Sequence, residues 1–267
     1  MNRLSKLMDM QGRCALITGA AGGLGGVMAG TLAEMGADLI LVDRPGSAYA
    51  PDVSSLGQRY GVSLTRVECD LESQQERSAL VAQVQGSRDS LHVLVNNAGF
   101  VGTTGLQGWV TEFEQQSVET WRRALEVNLT AGFDLVKGLT PLLRNSGTGS
   151  VINIASIYGM LGPDYSLYEG TAMGNPAAYA ASKGGLIQLS RWLATTLAPA
   201  IRVNTITPGG VFRNQPDVFV ERYKSRTPLG RMATEDDFRG AIAYLASDMS
   251  AYVTGQNLMV DGGWGAW

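Results

Sequence analysis

Seven short apolar runs punctuate the chain: CALITGA, DLILVD, LTRVECDL, LHVLVNNAG, SVINIAS, IRVNTITPGG and NLMVDGG. Most are apolar nearly throughout rather than alternating, the pattern of strands covered on both faces. Longer helical stretches lie between them, at about 23–35, 73–85, 117–144, 177–198 and 234–247. Thr234 ahead of the acidic triplet EDD supplies a capping oxygen and negative charge at a helix start, and Pro176 suits the first turn of the helix that follows it. Strand and helix alternate along the whole length. The pattern predicts an α/β protein with a doubly wound, seven-stranded parallel sheet, helices on both faces, right-handed crossovers and ligands at the carboxyl ends of the strands. No change of composition, fixed-period repeat or low-complexity segment divides residues 1–267, which read as a single domain.

Composition narrows the function classes. The 267 residues include 34 glycines and are 45% hydrophobic, as in a compact protein rich in tight turns. A formal charge of −3, with no long basic run, leaves no electrostatic footprint for nucleic acid or anionic lipid. The opening MNRLSKLMDMQGR is too polar for a signal-peptide core, and no apolar run reaches the roughly 20 residues that cross a bilayer. The expectation is a cytoplasmic protein with no membrane or nucleic-acid partner. Cys14 and Cys69 fall in apolar runs, where cysteine behaves as a small hydrophobe, so no disulfide framework is expected. His92 is the sole histidine, which leaves little from which to build a metal site.

The chemistry concentrates where strands end. LITGAAGGLGG puts Thr18, Gly19, Gly23 and Gly25 at a strand-to-helix junction. Glycines there permit positive φ and close backbone approach, and the helix start offers unpaired N–H groups to a diphosphate. A tight turn with no ligand is the plainer alternative. Asp43 tips the balance, because it ends the next apolar run, where a carboxylate accepts two ribose hydroxyls and repels a 2′-phosphate. NAD(H) is therefore favoured over NADP(H). Arg44 beside it speaks for the phosphorylated form, since a guanidinium offsets added negative charge.

The spacing T-G-x-x-x-G-x-G resembles the cofactor loop of the short-chain dehydrogenase/reductase family, and the resemblance extends along nearly the whole chain. It includes NNAG at 96–99, Asp70 and Leu71 in CDL, Asn128 in EVNL, Ser156 in NIASIYG, Tyr179 and Lys183 in YAASK, and PGG at 208–210. The resemblance implies a Rossmann-type fold. It also implies a cofactor site made by Gly19, Gly23, Leu24, Gly25, Asp43, Asp70, Leu71, Asn97, Ala98, Gly99, Tyr179, Lys183, Pro208, Gly209 and Val211, with Asn128, Ser156, Tyr179 and Lys183 as the catalytic set.

Four tyrosines, at 158, 165, 168 and 179, crowd the stretch from 153 to 185. Four residues on from them stand Gly162, Glu169, Ala172 and Lys183, so Tyr179 alone has a cation one helical turn away. A phenol with an ordinary pKa near 10 needs nearby positive charge to work at neutral pH. Lys183 is expected to supply it, Ser156 to hold the substrate oxygen, and Asn128, by resemblance, to support a water that relays protons from the lysine. A buried amide that satisfies helix carbonyls is the alternative for Asn128. The reaction implied is alcohol/carbonyl interconversion, with hydride moving to or from the nicotinamide.

Two departures from the family pattern bear on the substrate. Tyr179 lies 23 residues beyond Ser156, a longer gap than members commonly show, so residues 159–176 read as an inserted loop at the active-site mouth rather than extra core. Asp164, Tyr165, Tyr168, Glu169 and Asn175 in it offer hydrogen bonds to a hydroxyl-rich substrate, although a surface excursion or subunit contact fits equally. Arg213 stands near the place where many members carry a threonine. It suits an acidic or phosphorylated group, or simple exposure to solvent. The substrate lid, about 211–232, carries Arg222, Lys224, Arg226 and Arg231 and few bulky aliphatics, which points to a polar small molecule such as a sugar, sugar acid or nucleotide-linked sugar. A softer resemblance runs to members linked with bacterial surface-sugar synthesis. Trp264 and Trp267 near the end of the chain are apolar groups that seek a partner, and the resemblance implies a homotetramer. The rival readings are an NADPH-using 3-oxoacyl-thioester reductase, a catalytically idle cofactor sensor and a nucleotide-sugar epimerase.

Overall fold

The structure, a computed structural model, describes residues 3–102 and 104–267. Among these residues the chain runs α1 (Arg3–Met8), β1 (Cys14–Thr18), α2 (Gly23–Glu34), β2 (Asp38–Asp43), α3 (Pro51–Ser54), α4 (Leu56–Tyr60), β3 (Leu64–Glu68), α5 (Gln74–Ser87) and β4 (Val93–Asn96). It continues through α6 (Val118–Leu125), α7 (Ala131–Asn145), β5 (Gly149–Ile154), α8 (Ala177–Leu197), β6 (Ile201–Pro208), α9 (Asp217–Arg226), α10 (Arg239–Ala246) and β7 (Asn257–Val260). The strands form one parallel sheet in the order β3-β2-β1-β4-β5-β6-β7. The order reverses direction between β1 and β4, which opens a crevice at their carboxyl ends.

Burial follows position in the sheet. β1, β4 and β5 are buried at every residue, because helices cover both their faces. One core layer packs Met28, Leu32, Phe238 and Ile242 against the sheet, and the other packs Leu80, Leu135, Leu139 and Leu193. The outer strands differ. β3 exposes Thr65, Arg66 and Glu68, and β7 is half-buried at every position, so their apolar runs are those of edge strands.

Helix boundaries depart from the pattern in three places. The stretch expected as one helix over 117–144 is broken by a turn of π-helix, Glu126–Thr130, between α6 and α7. The stretch over 234–247 starts as a 3₁₀ turn, Glu235–Phe238, held by a capping box in which Thr234 and Asp237 satisfy each other's backbone N–H. α9 arises inside the segment expected as a lid, where few aliphatics had marked a helix, because Phe219, Val220 and Tyr223 give it a buried apolar stripe.

Cys14 and Cys69 are free and buried, and burial pushes both thiols up to about 11. His92 is spent on the backbone: its Nδ1 accepts from Cys14 N at 3.1 Å, and burial lowers its pKa. Among the described residues no helix is long and apolar enough to cross a membrane. The first two residues of the polar N-terminal stretch lie outside the described residues.

Candidate active site

The turn after β1 and the segment after β4 are sewn together. Thr18 Oγ1 accepts from the backbone N–H of both Asn97 and Ala98 at 3.1 Å, and Asn97 Nδ2 donates to the carbonyls of Thr18 and Gly19. Gly19 sits at φ +65°, and a Cβ there would lie 2.9 Å from Ala98 Cα. At Gly25 a Cβ would run into the Gly19 carbonyl, so the turn closes only on glycine. α2 then begins at Gly23, after Gly22, with no side-chain cap. Its first N–H groups remain available to an anion.

Above this turn opens a cavity of about 440 Å³. Gly19, Gly23, Leu24, Gly25, Asp43, Asp70, Leu71, Asn97, Ala98 and Gly99 line it together, as do Phe100, Val101 and Arg213. Its size, its glycine floor and the uncapped helix start fit a dinucleotide. Asp43 is less free than expected: Oδ2 accepts from Ala21 N at 2.8 Å, while Oδ1 accepts from Arg44 N at 2.8 Å and Ser47 Oγ at 2.9 Å. Of the other expected cofactor residues, Pro208 ends β6 beside Val260, Val211 bridges Ala233, and Gly209 lines a separate cavity of about 120 Å³ with Tyr223 and Asp261.

A buried guanidinium, which the sequence did not mark, ties the far end of the cavity to the helical layer. Arg77 Nη1 donates to Leu71 O at 2.6 Å, and the same side chain pairs with Glu126 at 2.7 Å and Asp134 at 2.9 Å. The π turn that Glu126 opens carries Asn128. Asn128 Oδ1 accepts from Phe100 N at 2.7 Å, and Nδ2 donates to Phe100 O and Ser182 Oγ, each at 3.1 Å. The side chain thus clamps the segment after β4 onto α8, its amide satisfied by the Phe100 backbone and the Ser182 hydroxyl rather than by helix carbonyls.

Ser156 follows β5 and caps a 3₁₀ turn, its Oγ accepting from Tyr158 N. Tyr179 enters from the first turn of α8, with Ser156 near enough to favour its ionised form. Lys183, one turn on, is almost fully buried. Its Nζ donates to Ile154 O at 2.8 Å and lies 5.9 Å from the centre of the Tyr179 ring. A Cβ on Gly99 would sit 3.4 Å from that Nζ, so the lysine adjoins the cavity.

The electrostatics revise the expectation drawn from spacing. Burial raises the Tyr179 pKa, opposed by the nearby Ser156 hydroxyl and by the charge of Arg213. Burial likewise pushes Lys183 down to about 8. Desolvation therefore disfavours both charged forms, and the protein alone leaves the phenol a weak acid.

Residues 19–265 match the family described as enoyl-(acyl carrier protein) reductase. Trans-4-hydroxycyclohexanecarboxylate dehydrogenase from Sinomonas cyclohexanicum is 36% identical over 258 residues, covering 94% of this chain and 92% of that protein. The chain belongs to the short-chain dehydrogenase/reductase family. An uncharacterised member from Sinorhizobium fredii, 34% identical, is longer, and the chain spans 44% of its length. Among solved structures, a short-chain dehydrogenase from Leptospira borgpetersenii with bound NAD+ is 30% identical with a TM-score of 0.82, covering 99% of this chain and 96% of that one. A gluconate 5-dehydrogenase from Burkholderia cenocepacia, in complex with NADP and tartrate, is 27% identical with a TM-score of 0.84, covering 99% and 100%. The chain is thus an NAD(P)-dependent oxidoreductase acting on CH–OH groups, with hydride transferred to or from a nicotinamide cofactor.

The inserted residues do add core, contrary to the reading of a polar excursion. Leu167 and Tyr168 join Ile157, Phe219, Tyr223 and Trp264 in one apolar cluster. Tilted rings run from Tyr168 to Phe219 at 5.5 Å and on to Tyr223 at 5.9 Å, and Tyr223 stacks on Trp264 at 4.3 Å. Arg222 donates to Glu169 O at 2.6 Å, and Arg226 pairs with Asp164. These arginines fasten α9 to the insertion, so their charges are already engaged. Tyr158 and Tyr168 hydroxyls meet at 2.6 Å, and the Tyr168 pKa is pushed up to about 12 by burial.

Proposed function

We propose that the chain interconverts a secondary alcohol and a ketone on a polar, hydroxylated or carboxylated small molecule, with NAD(H) preferred to NADP(H). The Lys183 ammonium, 5.9 Å from the centre of the Tyr179 ring and next to Gly99 of the glycine-floored cavity, carries this reading. In it, Tyr179 takes the proton from the substrate hydroxyl, or returns it to the carbonyl oxygen in reduction. Ser156 holds that oxygen. Bound nicotinamide supplies the hydride acceptor or donor, and its oxidised form adds positive charge. Lys183 adds a second cation that offsets the desolvation of the phenol, and Asn128 fixes the backbone of Phe100 beside them.

The Asp43 carboxylate in the cavity wall supports the choice of NAD(H). Support for the substrate class comes from relatives named for a cyclic hydroxy acid and for gluconate. Residues 159–176 and the lid over 211–232 are read as one cover for this substrate. We further read the chain as a cytoplasmic homotetramer; Trp267 and Trp192 leave large apolar surfaces in solvent. Light scattering that reports a monomer in solution would remove the tetramer.

The deciding experiment follows NADH and NADPH oxidation against keto sugars, keto acids and acetoacetyl thioesters. Turnover of a keto acid or keto sugar with NADH is expected. Preference for the thioester with NADPH would replace this reading with that of an acyl-thioester reductase.

A further inference from the structure

Arg213 belongs to the segment presumed to cover the substrate, yet its side chain lines the dinucleotide cavity with Gly22, Gly23 and Leu24. A Cβ on Gly23 would lie 3.3 Å from Arg213 Nη2 and 2.8 Å from Glu235 Oε1. The two side chains pair across the turn, Arg213 Nε donating to Glu235 Oε1 at 3.2 Å. Backbone on both sides fixes them there. Phe212 N donates to Ala233 O and Ala233 N to Gly210 O, so the lid's two ends meet at its base and Arg213 leaves from that anchored ribbon. Gln215 accepts from Arg213 N at 2.6 Å, and Asn214 takes the left-handed conformation at φ +57°, turning the chain sharply after the arginine. Glu235 stands in the 3₁₀ turn whose Phe238 is fully buried. The guanidinium is about half exposed, which leaves donors free beyond the one given to Glu235.

We propose that Arg213 is a cofactor-binding residue, its guanidinium gripping the dinucleotide's diphosphate over the glycine turn while Glu235 holds it in place. The assignment deepens the proposed function and rests on that reading. The α2 N-terminus offers backbone N–H groups from below, and Arg213 offers a planar fork from above. Glu235 serves two ends. It preorganises the guanidinium, and as a carboxylate beside phosphates it weakens the grip it aligns. The charge of Arg213 also reaches Tyr179, lowering the phenol's pKa, so one cation faces both the anionic and the reacting end of the site.

Binding of NADH, ADP-ribose and adenosine to the full chain, measured by fluorescence and calorimetry at several salt concentrations, tests this. Arg213→Gln should weaken NADH and ADP-ribose roughly tenfold, flatten their salt dependence and leave adenosine unchanged. Arg213→Lys should fall between, since a point charge keeps attraction but loses the fork. Glu235→Gln should bind ADP-ribose more tightly than the parent, by about threefold or more. Parent-like affinity and salt slope for ADP-ribose in Arg213→Gln would overturn the assignment, as would equal weakening of adenosine. If the parent binds NADH and ADP-ribose while turning over no alcohol, the proposed reaction fails and the Arg213 assignment is judged on the binding arms alone.

Discussion

The two halves of the site are held in different ways. On the dinucleotide side, hydrogen bonds between Thr18, Asn97 and Ala98 and glycines with no room for a Cβ make a rigid floor from residues near each other along β1 and β4. On the substrate side, a row of rings from Tyr168 to Trp264 and two arginine clasps join the insertion, α9 and the C-terminal turn. Backbone geometry sets the first, and side-chain packing sets the second. The first tolerates almost no substitution, whereas the second can change shape while the fold persists.

Substitutions should separate the halves, beginning with the reacting group that joins them. Tyr179→Phe should lower kcat by about 10³-fold and leave NADH affinity within about twofold, read by steady-state assay and fluorescence titration. Gly25→Ala should cost about 3 kcal/mol of stability or more and most cofactor affinity, because its methyl meets the Gly19 carbonyl. Phe219→Ala should cost about 3 kcal/mol in a denaturant melt and raise KM, with cofactor affinity unchanged, because it empties the middle of the ring row.

Lys183 gives a test in pH. Its folded pKa of about 8 lies below the ordinary 10.5, so between those values the unfolded chain binds more protons than the folded one. Stability of the parent relative to Lys183→Met should therefore rise as pH goes from 8 to 10.5, followed by thermal melts of both proteins. The smallest effect belongs to Arg226→Ala, which removes an exposed ion pair with Asp164 worth under about 1 kcal/mol. If that substitution abolished activity, the substrate side would be as intolerant as the floor.

The sequence discloses the floor well. Glycines needed for close approach, a carboxylate at the end of β2 and the i, i+4 pair of Tyr179 and Lys183 are local signals, and they fall where strands end. The ring row was illegible, because Tyr168, Phe219, Tyr223 and Trp264 are scattered over the last hundred residues and share no periodicity. The contacts of the lid's arginines were illegible for a related reason: charge in a sequence does not say whether its partner is substrate or a neighbouring loop. Arg77 likewise looks like an ordinary helix-surface residue until Leu71, Glu126 and Asp134 converge on it. Desolvation was the missing term for Lys183, since spacing shows proximity and not burial.

Asp43 holds Ala21, Arg44 and Ser47 with its two oxygens, besides facing the cavity. If Asp43 selects the coenzyme as proposed, a protein engineer who exchanged it for a neutral residue would also unlatch the backbone of Ala21 and Arg44 and the hydroxyl of Ser47. Retuning coenzyme choice in this chain is therefore a problem of rebuilding those contacts, with Ser47 replaced in concert, and not of editing one charge.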